Sequence, residues 1–381
     1  MDFTFTDEQQ MLRDAVSGFL AARYDLAKSR TAVKAGPGRQ PEIWRGLAEL
    51  DVLGLTLPEE AGGSGGGPIE AMIIAEELGR ALVVEPYVDT VVVGGGLLRR
   101  AGGEQAGELL RGIAGGDVRP VFAALEPQSG EVRHDVSTTA RRDGDDWMID
   151  GAKIVVTGLP VATHLIISAR TSGERRDQDG ISLFLVEFDP ASPPTGIETH
   201  QYRTIDDRVA ADLTFENFRV PASALLGEEG RAWPAIDATI DAAIAAVASE
   251  AVGLMRKVLD DTVEYTKQRQ QFGVPISSFQ ALQHRMVDML IELEQSIAAA
   301  YLAAYAVEAE PAERARAVSA AKVTIGRATR FIGQNSVQLH GAMGMTEELA
   351  IGHYFKRLTA IEYEFGSSSD HLARYIAATK S

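Results

Sequence analysis

Few residues in this sequence declare chemistry by type and spacing alone. Gly62, Gly63, Gly65, Gly66 and Gly67 offer closely spaced backbone N–H groups of the kind that cradle an anion. The cluster lacks the Lys-Ser/Thr ending of a phosphate-binding loop, which leaves a flexible loop as the simpler reading. Gly62-Gly63-Ser64-Gly65-Gly66 has the GxSxG spacing but, within a glycine-rich loop, does not read as a nucleophile elbow, and there is no HExxH pair to hold zinc. The glycine-rich spots also lack the strand–GxGxxG–helix context, with a later acidic residue, of a dinucleotide fold. Without cysteine, the chain has no disulfides, zinc–thiolate sites, thiol nucleophiles or cysteine-ligated iron–sulfur clusters. Seven scattered histidines argue against a histidine-rich metal site, and no metal is expected.

Composition narrows the rest. The 381 residues are 45% hydrophobic and 24% charged, enough to bury one large core or build two or three domains. Lys plus Arg total 37 and Asp plus Glu 54, a formal charge of -17. Such a surface repels nucleic acid and anionic membranes. Residues 1–10 open acidic and polar, without the basic-then-apolar order of a signal peptide. Apolar runs such as 91–98 are too short to span a bilayer. A soluble cytoplasmic protein is the expectation.

Periodicity divides the chain into three regions. Residues 1–118 read as mostly helical: Thr6 and Gln9 stand in capping-box spacing, and Met11, Leu12, Ala15, Val16, Phe19 and Leu20 make an apolar stripe. A second helix begins near Pro68 and carries Met72, Ile73, Ala75, Leu78 and Leu82. Residues 119–230 switch to short β-branched and aromatic runs at 121–124, 147–149, 153–156, 165–169 and 181–188, with another strand at 210–218. Asp143-Gly144, Asp150-Gly151 and Asp179-Gly180 read as turns, so the region is a largely antiparallel β domain. Residues 231–381 return to a 3.6-residue period with helix lengths suited to a four-helix bundle. Met286, Met289, Leu290, Leu293, Ile297 and Tyr301 share one face there.

Residues 264–273, Glu-Tyr-Thr-Lys-Gln-Arg-Gln-Gln-Phe-Gly, followed by Pro275-Ile276 and Ser278-Phe279-Gln280, closely resemble the signature of acyl-CoA dehydrogenases. So do Ala321-Lys322 and Val337-Gln338-Leu339-His340-Gly341-Ala342-Met343-Gly344. Glu126-Pro127 and Asp150-Gly151-Ala152-Lys153-Ile154-Val155-Val156-Thr157 look like the family's middle-domain motifs. The resemblance implies a mixed α and β fold: an N-terminal helical domain, a middle antiparallel β domain and a C-terminal four-helix bundle. It also implies FAD between the β domain and the bundle, partly held by a neighbouring subunit of a dimer or tetramer. Acyl-CoA is the implied substrate and an electron-transferring flavoprotein the implied acceptor.

By the same resemblance, Arg269 binds the FAD pyrophosphate with its guanidinium fork. Phe272 presses on the adenosine end, although ordinary interhelical packing explains a phenylalanine there nearly as well. Gln338 and Gly341 approach the FAD of another subunit, with Ala342 replacing a familiar second glycine. His340 takes a structural or cofactor-edge role. Thr157 meets the flavin near N5, where a hydroxyl can donate a hydrogen bond. Val155 and Leu125 replace an aromatic and a hydroxyl residue common in relatives, which makes this pocket more apolar.

The implied reaction takes a proton from Cα and a hydride from Cβ of an acyl thioester, and its base is hard to find. Most relatives place a Glu before the glycine late in the bundle; here Phe365 holds that place and Glu364 sits one residue early, a step that turns a helical side chain by about 100°. A smaller group carries the base on an earlier helix, where Ala243 and Ile244 stand, with Glu250 seven residues later and Asp241 pointing elsewhere. Glu250 reads as a base or an ion-paired structural carboxylate, and no catalytic residue is assigned. The leading expectation is an FAD-dependent dehydrogenase subunit, with the active site completed in a heteromer. Residues 353–358 and 365–372 resemble subunits acting on steroid side-chain or dicarboxylyl thioesters, and the small side chains of 242–248 suit a bulky acyl group. The alternatives are a noncatalytic FAD-binding partner and an oxygen-using oxidase.

Overall fold

A computed structural model describes residues 4–36, 40–102, 104–130 and 132–380; the first three residues of the N-terminal reading, and the last residue of the bundle region, lie outside them. The chain packs as two compact units. One contains Met1–Ser29, Gly67–Val83 and Ile244–Ser381; the other contains Arg30–Gly66 and Val84–Ala243.

Helices build the first unit. Helix α1 (Asp7–Arg23) starts on the expected capping box, with Thr6 Oγ1 accepting from Gln9 N at 3.2 Å and Gln9 Oε1 from Thr6 N at 3.1 Å. Its stripe is narrower than its sequence suggests: Val16 and Leu20 are buried, but Met11 is 70% exposed. After α2 (Leu26–Ala35) and α3 (Pro41–Glu49), α4 (Pro68–Arg80) returns to this unit. Two short helices, α5 (Gly96–Ala101) and α6 (Glu104–Ala114), belong to the other unit. Helix α7 (Trp233–Gln268) is long and apolar enough to cross a bilayer, yet 89% of that stretch is buried inside the protein, as befits a core helix. Helix α9 (Pro311–His340) then packs against α8 (Gln280–Ala306), α10 (Ile351–Tyr363) and α11 (Ser368–Lys380). Helices α4 and α7 approach at Gly79 and Gly253. A Cβ on Gly79 would lie 2.1 Å from the Glu250 carbonyl oxygen, and one on Gly253 1.9 Å from that of Glu76. No side chain fits at either position, so the two backbones lock and Glu250 is fixed beside α4.

An eight-stranded sheet forms the heart of the second unit. Its strands are β1 (Pro120–Ala123), β2 (Thr139–Asp143), β3 (Asp146–Thr157), β4 (His164–Arg170), β5 (Ile181–Glu187), β6 (Ile197–Arg203), β7 (Val209–Val220) and β8 (Leu225–Leu226). The order is β6-β7-β3-β2-β4-β5-β8, with β1 parallel to β4 and the long pairings antiparallel. The core gathers Val121, Trp147, Ile149, Leu165, Phe184, Leu213 and Phe215, with Trp147 edge-on to Phe184 at 5.3 Å. Asp143-Gly144 does turn the chain, between β2 and β3, but Asp150-Gly151 does not. It lies inside β3 at a register shift with β7, so two expected strands are one bulged strand.

Candidate active site

Two middle-region motifs meet in the interior of the β-rich unit. Lys153 Nζ lies 2.7 Å from Glu126 Oε1, and neither side chain is exposed. The ammonium also donates to Ser168 Oγ at 2.9 Å. Glu126 Oε2 accepts from Ser137 N at 2.7 Å, Ser137 Oγ at 2.6 Å and Gln128 Nε2 at 2.7 Å. Burial alone would raise this carboxyl's pKa; the Lys153 charge and these hydrogen bonds prevail and lower it to about 2. The pair ties the segment after β1 to β3 and β4. Beside it, Ile154 N donates to Leu125 O at 2.8 Å, which holds the Leu125 backbone to β3 one residue before Val155. These apolar side chains stay 45% and 41% exposed.

Val155 sits where β3 places two residues, Ile154 and Val155, opposite one residue of β7, Asp212. Its φ of +52° is a conformation that β-branched residues avoid. Asp212 Oδ1 stabilises the bulge by accepting from Val155 N at 3.0 Å, and it also accepts from Tyr202 Oη at 2.8 Å. Burial and this carboxylate push the Tyr202 phenol up to about 12. Thr157, two residues on, donates to Asp89 Oδ1 at 2.5 Å. The hydrogen that the resemblance directs at a flavin nitrogen therefore goes to a carboxylate.

The helical unit carries the other predicted contacts. Arg269 follows the last residue of α7, is exposed, and pairs with no carboxylate among the described residues. A two-stranded hairpin follows, Gln270–Gln271 against Val274–Pro275. Its central residues, Phe272 and Gly273, have φ of +56° and +82°, the signs of a type I′ turn. Phe272 is 92% exposed and, among the described residues, presents its ring to the edge of Phe279, with ring centres 6.0 Å apart. Gln338 is exposed near the end of α9, and Gly341 just beyond has φ +60° and ψ -142° with open space where a Cβ would be. His340 is buried, its Nδ1 is 2.8 Å from Ser336 O, and its ring stacks on Tyr265 at 4.3 Å. That stack joins the ends of α7 and α9, and hence the segments bearing Arg269, Gln338 and Gly341. Thr157 belongs to the other unit.

Both candidate bases are held by one cation. Arg357 on α10 donates from Nε and Nη2 to the two oxygens of Glu250, each at 2.7 Å, and its Nη1 lies 2.8 Å from Glu364 Oε2. The guanidinium is 4% exposed, Glu250 7% and Glu364 19%. Glu364 is no longer helical: α10 ends at Tyr363, and Phe365 (φ +58°) and Gly366 (φ +107°) turn the chain. The step of about 100° per residue thus does not apply, and the turn leads Glu364 to Arg357. Lys322 caps α10 by donating to Ile361 O at 2.5 Å and Glu362 O at 3.2 Å. Burial lowers its pKa to about 8, against the opposing pull of Glu364 and Glu362.

Sequence reasoning left Arg357 and Asp89 without roles. Arg357 shares a helical face with the buried His353, Tyr354 and Ile361, and a cation on such a buried face announces a buried anion. Asp89 is a lone carboxylate within a run of valines.

Residues 6–117, 121–218 and 230–378 match the N-terminal, middle and C-terminal domains of acyl-CoA dehydrogenases. The chain belongs to the acyl-CoA dehydrogenase family. It is 30% identical to a probable acyl-CoA dehydrogenase of Bacillus subtilis over 97% of each chain. Among solved structures it resembles a glutaryl-coenzyme A dehydrogenase in complex with glutaryl-CoA (TM-score 0.92, 25% identity, covering 100% and 97%). The Tcur3481–Tcur3483 steroid ACAD gives a TM-score of 0.87 at 28% identity, covering 98% of both chains. The protein is therefore an oxidoreductase with the family's mixed α and β, three-domain architecture, and FAD is its cofactor. Residues of each unit suit that group: in the helical unit an exposed arginine without a carboxylate partner among the described residues, an outward aromatic in a strained turn and a left-handed glycine with room beside it, and in the other unit the exposed apolar Leu125 and Val155.

Proposed function

We propose that the chain serves α,β-dehydrogenation of an acyl-CoA thioester as one subunit of a heteromer in which another chain supplies the base. The Arg357 clamp carries this reading, because it engages both Glu250 and Glu364 in a buried site. The two places where relatives keep the base hold Ala243 and Phe365.

In this reading Arg269 grips the FAD pyrophosphate, Phe272 covers its adenosine end, Gln338 and Gly341 approach the cofactor of a neighbouring subunit, and Thr157 faces the ring. When bound, the flavin supplies a hydride acceptor for Cβ while a carboxylate removes the Cα proton. Leu125 and Val155 exclude water beside the ring, and the bulge secured by Asp212 keeps Val155 presented. The proposed substrate class is a bulky acyl-CoA, steroid side-chain or dicarboxylyl, and the proposed acceptor is an electron-transferring flavoprotein.

Anaerobic titration with CoA thioesters tests this. The purified chain should hold FAD without bleaching, whereas the naturally assembled complex should bleach, even with Glu364→Gln in this chain. Full turnover by the isolated chain would sink the heteromer reading. The same clamp also favours a second reading, a noncatalytic FAD-bearing partner. In that case Arg269→Ala should empty this chain's site yet leave turnover by the complex intact.

A further inference from the structure

We propose that Asp89 is a positioning residue that takes the hydroxyl hydrogen of Thr157, leaving Thr157 Oγ1 to face the cofactor only as a hydrogen-bond acceptor. The inference rests on the FAD reading above. It begins with a hydroxyl's inventory, one hydrogen and two lone pairs, against an ionised carboxylate that only accepts. Thr157 Oγ1 stands within hydrogen-bond reach of Asp89 Oδ1 and donates to it.

The fold builds this contact from two elements. Asp89 stands in the first turn of a π-helical segment, Val88–Gly95, a wide-turn geometry that is rare and frequent at functional sites. Thr157 ends β3 and is followed by Gly158 at φ +74°. A Cβ on Gly158 would lie 3.1 Å from Val121 Cγ1 and 3.4 Å from Asp89 Cβ, so a glycine there lets the strand end come up to the carboxylate. Asp89 and Thr157 are both half-buried and line one cavity with Asp207 and Arg208. Neither the reaction's acid–base chemistry nor the sheet's hydrogen bonding uses Asp89.

The direction of the bond matters because reduction by two electrons and one proton turns flavin N5 from an acceptor into an N–H donor. A threonine free to donate would favour the oxidised ring. A threonine whose hydrogen is committed to Asp89 favours the reduced one. The two arrangements therefore predict opposite signs when the hydroxyl is removed.

Midpoint potentials of bound FAD, measured on the full chain in its natural assembly, read that sign. Thr157→Val should shift the oxidised/reduced equilibrium about tenfold toward the oxidised form, a fall of ~30 mV for a two-electron couple. Thr157→Ser, which keeps the hydroxyl, should stay near the parent value. In an Asp89→Leu background the effect of Thr157→Val should vanish or change sign. A rise in potential for Thr157→Val, or no change in a protein that still holds FAD, overturns the inference while leaving the FAD reading intact. A folded, assembled protein that takes up no FAD overturns both.

Discussion

The Glu126–Lys153 pair of the sheet and the Arg357 cluster of the helices are both buried, both rich in charge-assisted hydrogen bonds, and both join segments remote in sequence. They differ in stoichiometry. In the sheet one cation meets one anion, and donors from Ser137 and Gln128 fill the remaining carboxylate positions. In the bundle one guanidinium serves two carboxylates. A one-to-one, saturated pair acts as a staple, whereas two carboxylates sharing one guanidinium, with the Lys322 charge acting on Glu364, form a network whose geometry turns on Arg357. A carboxylate held that way is poorly placed to leave its partner and collect a proton, which is why the cluster bears on catalysis and the staple on folding.

Breaking the cluster should produce the largest effect. Arg357→Leu removes the guanidinium shared by two carboxylates and should destabilise by about 5 kcal/mol in urea unfolding at neutral pH. Lys153→Met strands one carboxylate and should lose about 3 kcal/mol; adding Glu126→Gln should recover much of it, because the double variant leaves no buried charge. A smaller, graded signal comes from acid. Glu126 is held near 2 against its usual 4.5, so its contribution is complete above pH 4.5 and disappears as pH falls toward 2. Glu126→Gln should remove that part of the slope. Smallest is the alkaline limb of Lys322. Its depressed pKa means that the unfolded chain binds more protons between about 8 and 10.5, so stability should rise with pH there, and Lys322→Met should flatten the rise.

Much of this was legible in the sequence because motifs preserve backbone chemistry. The Phe272-Gly273 turn and Gly341 demand unusual φ values, and the spacing around Arg269 marks the end of a long helix. Other features were legible only in pieces. Glu126 and Lys153 both stand in recognisable motifs, yet nothing along the chain states that residues 27 apart share a proton-tight contact. Glu250 and Arg357 are 107 apart, a pairing that only the packing of α7 against α10 creates. Asp150-Gly151 misleads because a glycine bulge and a hairpin turn use the same residue types; neighbouring β7, invisible to local pattern, decides between them. The edge strand β6 alternates too many polar residues to stand out as a strand.

The outward phenylalanine of the small hairpin has an evolutionary corollary. Holding a bulky side chain in a left-handed conformation, in water, costs roughly 1 kcal/mol or more that glycine or asparagine would not incur. Selection of this protein for heat resistance alone should therefore replace Phe272 early, whereas under the adenosine contact proposed above selection for FAD retention should preserve it, so that the drift of a single codon reports which pressure the lineage has experienced.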